Sequence, residues 1–231
     1  TGAMFVLGIS SYYMLKKRDL PFARRSFAIA SSFGFAAILS VIILGDESGY
    51  EIGDIQKTKL AAIEAEWETQ EAPADFTLIG FPSQDDMETH GAIKIPGVLG
   101  LIATRSLDEE VVGIKDLLAE HEERIHRGME AYGLLEKMRA GDKSEPTVAA
   151  FDALKDDLGY GLLLKKYTEN VVDATDEQIK MAAKDSIPQV APMFWSFRIM
   201  VAIGFLMLLM IATSFWSSIR HNMEQKPWLL K

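Results

Sequence analysis

Several groups of residues have types and spacings that bear on chemistry, and most of them fail on inspection. His121-Glu122-Glu123-Arg124-Ile125-His126 comes near the helical zinc pattern of metalloproteases. Its histidines are five residues apart instead of four, which turns them about 140° from one another on a helix. The stretch therefore reads as a solvated, charged helix. Gly159-Tyr160-Gly161 lies in a hydrophilic region without the Thr-Val that precedes such a run in potassium filters, so it reads as a turn. There is no phosphate loop, dinucleotide fingerprint or nucleophile elbow. Arg198 is of another kind, standing at the edge of a long apolar stretch. A charge at mid-membrane costs about 2.5–3.5 kcal/mol, so such a residue either snorkels to the interface or pairs with something functional. Met200 beside it offers a thioether, a soft donor that serves with histidine as an axial ligand of low-spin hemes. Taken alone, a methionine in an apolar helix is packing.

The elements that would position these residues follow from the layout of charge. Residues 26–45 and 199–219 contain no Asp, Glu, Lys or Arg. Runs of this length match the roughly 20 residues that cross about 30 Å of hydrocarbon as a helix. Between them, residues 46–185 hold 15 lysines and arginines against 31 aspartates and glutamates, while the whole chain carries a net charge of −9. The flanks are basic, with Lys16, Lys17, Arg18, Arg24 and Arg25 on one side and Arg220, Lys226 and Lys231 on the other. By the positive-inside rule the basic flanks face the cytoplasm and the acidic region lies outside. That acidity excludes nucleic acid as a partner. The chain has no cysteine, which rules out disulfides and cysteine-based metal or redox sites.

The expected architecture is all-α: a polytopic membrane segment with two complete transmembrane helices, one partial one, and a large, mostly helical periplasmic loop. Residues 1–15 read as the inner end of a further apolar helix. A signal peptide is a poor account of them, because the basic residues follow the apolar run. Residues 16–25 form a cytoplasmic turn, 26–45 a transmembrane helix, 46–189 the outer loop, 190–219 the returning helix and 220–231 a cytoplasmic segment. The chain reads as a portion of a longer protein. Within the loop, Leu60, Ile63 and Trp67 recur at helical spacing, which predicts an amphipathic helix over 54–70. Pro73, Pro82, Pro96 and several glycines predict irregular or short extended structure over 71–100. Ser106 with Glu109 and Thr175 with Gln178 are candidate capping boxes, ahead of helices over 111–138 and 176–185, and 147–166 is a further candidate helix.

A longer pattern runs through the chain. Gly45-Asp46-Glu47-Ser48-Gly49-Tyr50-Glu51 and the following Gln56 to Thr69 stretch resemble the start of the quinol-binding loop of cytochrome bd ubiquinol oxidase subunit I. The similarity continues through His121-Glu122-Glu123-Arg124-Ile125, Asp157 to Lys165, Lys184-Asp185-Ser186-Ile187-Pro188 and Arg198-Ile199-Met200, and is of the long-loop type.

The resemblance implies that Lys59 and Glu64 act in quinol oxidation, with Asp46 and Tyr50 as further quinol contacts. It implies that Met200 is an axial ligand of a low-spin heme b iron and that Arg198 supports that heme electrostatically. The ligands of the high-spin heme b and heme d expected in the family lie outside this chain. The implied protein sits in the bacterial inner membrane with its long loop in the periplasm. Its implied partners are membrane quinol, the remainder of subunit I, subunit II, small accessory subunits and the lipid bilayer. Spacing would not have selected Lys59 and Glu64, which stand about 140° apart on a helix. Their chemistry suits quinol oxidation, since a carboxylate accepts a quinol proton and an ammonium group stabilises negative charge on the quinone oxygen. Protons released from an outer loop would leave on the outer side. The competing expectation is a non-enzymatic, membrane-anchored sensor or interaction module with an acidic extracytoplasmic domain.

Overall fold

A computed structural model describes residues 1–230, the side chain of Asp54 excepted. Lys231, counted above with the basic flank, lies outside the described residues. The helices are α1 (Gly2–Leu15), α2 (Leu20–Ile55), α3 (Lys57–Glu64), α4 (Val98–Ala103), α5 (Ile114–Arg139), α6 (Glu145–Leu154), α7 (Leu158–Leu162), α8 (Asp176–Asp185) and α9 (Val190–Ile219), with shorter helical turns between some of them. Strands β1 (Phe76–Ser83) and β2 (Glu88–Ile95) lie between α3 and α4. Two compact units result, one of residues 1–49 with those from 196 onward, the other of residues 50–195.

In the first, apolar unit, two helices of the described residues are long and apolar enough to cross a membrane, one within α2 and one ending with α9. Leu7 and Met14 of α1, Ala23, Phe27 and Ala30 of α2, and Ile211 of α9 form its buried cluster. Small residues let the helices approach: a Cβ on Gly34 would lie 3.1 Å from the Cβ of Ala3, and Ser10, Ser31, Ser214 and Ser217 are buried. Phe35 and Phe215 stack with ring centroids 5.1 Å apart. Large apolar side chains such as Phe33 and Ile43 point outward, 68% and 70% exposed. Such a surface is costly in water and suits hydrocarbon.

In the second, polar unit, α5 is the central element. Ile114, Leu117, His121, Ile125, Gly128 and Ala131 recur at three- and four-residue spacing and form its buried face. Asp116 in its first turn and Lys137 and Arg139 in its last complement the helix dipole. One cluster packs α3 and the start of α9 against α5 through Ala61, Ala62, Leu117, Val190 and Phe194. Another joins Ile125 to Leu164, Val171 and Ile179. Thr175 and Gln178 form the expected reciprocal capping box on α8.

The all-α expectation is corrected by β1 and β2, which pair antiparallel from Phe76↔Ile95 to Ser83↔Glu88. Pro82 and the glycines that argued against regular structure are accommodated because a two-stranded sheet has only edges, with bulges between Thr77 and Phe81. The amphipathic helix expected over 54–70 is shorter, spanning Lys57–Glu64. The backbone leaves the helical region at Gln56 and again at Ala65, which is left-handed at φ 56°. Ser106 and Glu109 do not cap α5. Its N-cap is Gly113, and the amides of Ile114 and Lys115 donate to the carbonyls of Glu66 and Trp67 at 2.8 and 2.9 Å. Gly159-Tyr160-Gly161 lies in helix α7 and not in a turn. A Cβ on Gly161 would fall 2.4 Å from the backbone of Gly128, so both glycines are required for α7 to touch α5.

Candidate functional site

Lys59 and Glu64 lie on the same short helix and face different surroundings. Helix α3 carries alanines on its buried side, with Ala61 and Ala62 almost fully buried against α5. The near-opposite direction required by five-residue spacing puts Glu64 inward, 3% exposed, and leaves Lys59 half-buried. Lys59 borders a groove of about 820 Å³ shared with Thr58, His121, Arg124, Tyr160 and Ser186. Glu64 does not border that groove.

Other residues lining the groove form an ordered polar network. His121 is buried, 6% exposed, which corrects the expectation of a solvated helix face there, whereas His126 is exposed. Its Nδ1 lies 2.6 Å from the Ser186 hydroxyl, and that hydroxyl donates to the carbonyl of Ala183. Nδ1 must then be the donor to Ser186, which leaves Nε2 to accept from the Thr58 hydroxyl at 3.4 Å. Burial holds the imidazole below its ordinary pKa, with Glu120 opposing and Arg124 reinforcing the effect. Arg124 and Arg127 each donate through Nε to one oxygen of Asp157 at 2.6 Å. Burial alone would push the Asp157 carboxyl up, but these two guanidinium groups hold it below the usual range. Arg124 also lies 4.2 Å from the centroid of the Tyr160 ring.

Tyr50 borders a separate cavity of about 190 Å³ with Gly53, Lys57, Leu60 and Glu109. The Arg105 guanidinium lies over its ring, 4.3 Å from the centroid. Asp46 is exposed on α2 in the apolar unit. Arg198 and Met200 are also in the apolar unit, the first half-buried and the second 59% exposed on α9. The exposed thioether of Met200 on an apolar helix is a soft donor whose chemistry would suit a heme iron.

Sequence reasoning passed over Arg105, the network around His121, and Glu66. For His121 a signal was present, since Leu117, His121 and Ile125 share one helical face. Arg124 and Asp157 are 33 residues apart, and nothing local pairs them.

The chain matches the family model for cytochrome bd terminal oxidase subunit I over residues 1–231. It is 45% identical over 231 residues to the cytochrome bd-II ubiquinol oxidase subunit 1 of Escherichia coli, covering 100% of this chain and 45% of that protein. It is 27% identical over 231 residues to the cytochrome bd ubiquinol oxidase subunit 1 of Bacillus subtilis, covering 100% of this chain and 37% of that protein. The chain thus spans less than half the length of these curated relatives.

Proposed function

We propose, from the premise that this chain belongs to the cytochrome bd terminal oxidase subunit I family, that it is the quinol-oxidising portion of a ubiquinol oxidase. In this reading α2 and α9 cross the bacterial inner membrane, residues 46–189 lie in the periplasm, and the remainder of subunit I and a second subunit complete the enzyme. The observation that supports the assignment is a half-buried cation, Lys59, bordering a groove of mixed polar and apolar lining, with a buried carboxyl, Glu64, on the same short helix but outside that lining. At about 820 Å³ the groove lies in the range of small-molecule sites.

Lys59 orients the substrate by donating to its oxygen and stabilises the negative charge that develops there as the proton leaves. Glu64 is the base. The family resemblance adds Tyr50, which borders a separate cavity with the Arg105 cation over its ring, and Asp46 of the apolar unit as further quinol contacts. Met200 would hold a low-spin heme b iron through its sulfur, and Arg198 would add positive charge beside it. That heme, when bound, takes up electrons from the substrate. Protons released in the loop leave on the periplasmic side.

The test is quinol oxidase activity of full-length enzyme carrying Lys59→Ala or Glu64→Ala. Each variant should lose most of its turnover while keeping its heme content. Normal turnover in both removes the assignment.

A further inference from the structure

One carboxyl outside this machinery is placed as a proton carrier would be. Glu66 is 3% exposed, and its Oε1 is buried with no hydrogen-bond partner among the described residues. Its other oxygen accepts from the Gln70 side-chain amide. An unpaired buried polar atom costs about 1–3 kcal/mol, so it is rarely kept without a use.

The backbone holds Glu66 in this position from several sides. Ala65, left-handed between Glu64 and Glu66, ends α3 and redirects the chain. A non-glycine residue adopts that conformation at a cost of about 1–2 kcal/mol. The Glu66 carbonyl accepts from the Ile114 amide, the first of α5. The Trp67 indole donates to the Thr89 hydroxyl at 2.9 Å, which clamps the hairpin across the bend. As a result Glu66 borders a cavity of about 390 Å³ beneath the hairpin, with Trp67, Thr77, Glu88 and the exposed Lys94.

We propose that Glu66 is a second proton carrier in quinol oxidation, receiving at Oε1 the proton that Glu64 takes from substrate and releasing it to solvent through the cavity that Lys94 borders. The inference rests on the quinol-oxidising reading above. The Glu64 O–H bond breaks as the Glu66 O–H bond forms, and Glu66 then returns to carboxylate by giving the proton to water. No electron moves in these steps.

The electrostatics of the position suit such a carrier. Burial pushes the Glu66 carboxyl up to about 7, opposed by the Gln70 hydrogen bond and the Lys94 charge and assisted by the charges of Glu64 and Asp75. Glu68 and Glu88 also face the cavity. A group titrating near the working pH both accepts and releases protons readily.

The experiment is steady-state quinol oxidation by the full-length oxidase complex across a pH range of about 5.5 to 8.5, bracketing this ionisation. Turnover should rise with pH as Glu66 becomes able to accept a proton. Glu66→Gln should lower kcat about tenfold or more with little change in KM, and should abolish this ionisation. Lys94→Gln, at an exposed site, removes the charge that favours the carboxylate and should move the ionisation to higher pH. Wild-type turnover and pH profile in Glu66→Gln, or an unmoved ionisation in Lys94→Gln, overturns the proposal. If Glu66→Gln does not assemble, the Lys94→Gln result decides. Glu64→Gln separates the two readings: a slow Glu64→Gln beside a normal Glu66→Gln removes only the relay, whereas full activity in both removes the quinol-oxidising reading itself.

Discussion

The Nδ1 of His121 lies 2.6 Å from the hydroxyl of Ser186, joining the central helix α5 to the turn after α8, while its Nε2 accepts from the Thr58 hydroxyl, a role only the neutral ring can fill. The consequence is a pH dependence of stability. Because burial lowers the folded-state pKa of His121 below its ordinary 6.5, the stability it contributes is present above that value and is lost as pH falls below it. In full-length oxidase, the thermal stability of the polar unit should fall on acidification, and His121→Gln should flatten that acid slope. An identical slope in the variant would show that His121 is not the titrating group.

Glu66 acts in the opposite direction. Its folded-state pKa is raised from an ordinary 4.5 to about 7, so its contribution is full below 4.5 and declines as pH rises through 7. Glu66→Gln should therefore gain stability relative to the parent at alkaline pH and lose that advantage in acid. The same melting curves report it. A constant difference across pH would mean that Glu66 is not buried as a neutral acid.

How much of this was legible in the sequence differs from element to element. Helices α2 and α9 were legible because charge-free runs of about 20 residues match the length of a membrane span. The Thr175–Gln178 box was legible because its whole physics lies within four residues. The ends of α3 were not, because Gln56 and Ala65 leave the helix for reasons of tertiary packing. Short extended structure over 71–100 was legible, but its pairing into a hairpin was not, because Pro82 reads as a strand breaker and is harmless on an edge. Glu66 was hidden most completely. In Glu64-Ala65-Glu66-Trp67-Glu68 it reads as one of several solvated acids, and only the bend at Ala65, the α5 amides and the hairpin bury it.

Asp157 tests the network beside the groove. Two guanidinium groups share its carboxylate, so Asp157→Ala leaves Arg124 and Arg127 without their acceptor and should destabilise the polar unit by about 2–3 kcal/mol. Chemical denaturation followed by loop proteolysis measures this. A loss below about 0.5 kcal/mol, typical of a surface substitution, would reduce the clamp to an ordinary exposed ion pair.

Gly161→Ala is a packing test that involves no charge. The added methyl group would sit 2.4 Å from the backbone of Gly128, so α7 must move away from α5. The expected cost is at least about 1–3 kcal/mol, the range for overpacked cores. Gly159→Ala on the same short helix meets nothing within 4 Å and is the control. Equal stability of the two variants would contradict the close approach of these helices.

The heme assignment stands on Met200, and its exposure makes the test clean. The side chain is 59% exposed on α9, so Met200→Leu conserves volume without disturbing a packed core. Loss of the sulfur donor should remove or shift the low-spin heme b band in the reduced-minus-oxidised spectrum of the full-length complex. Arg198→Gln should keep that band and lower the heme midpoint potential, because a nearby positive charge favours the reduced iron. A Met200→Leu spectrum identical to the parent's would exclude ligation by this residue. An unmoved potential in Arg198→Gln would place its charge too far from the iron to act on it.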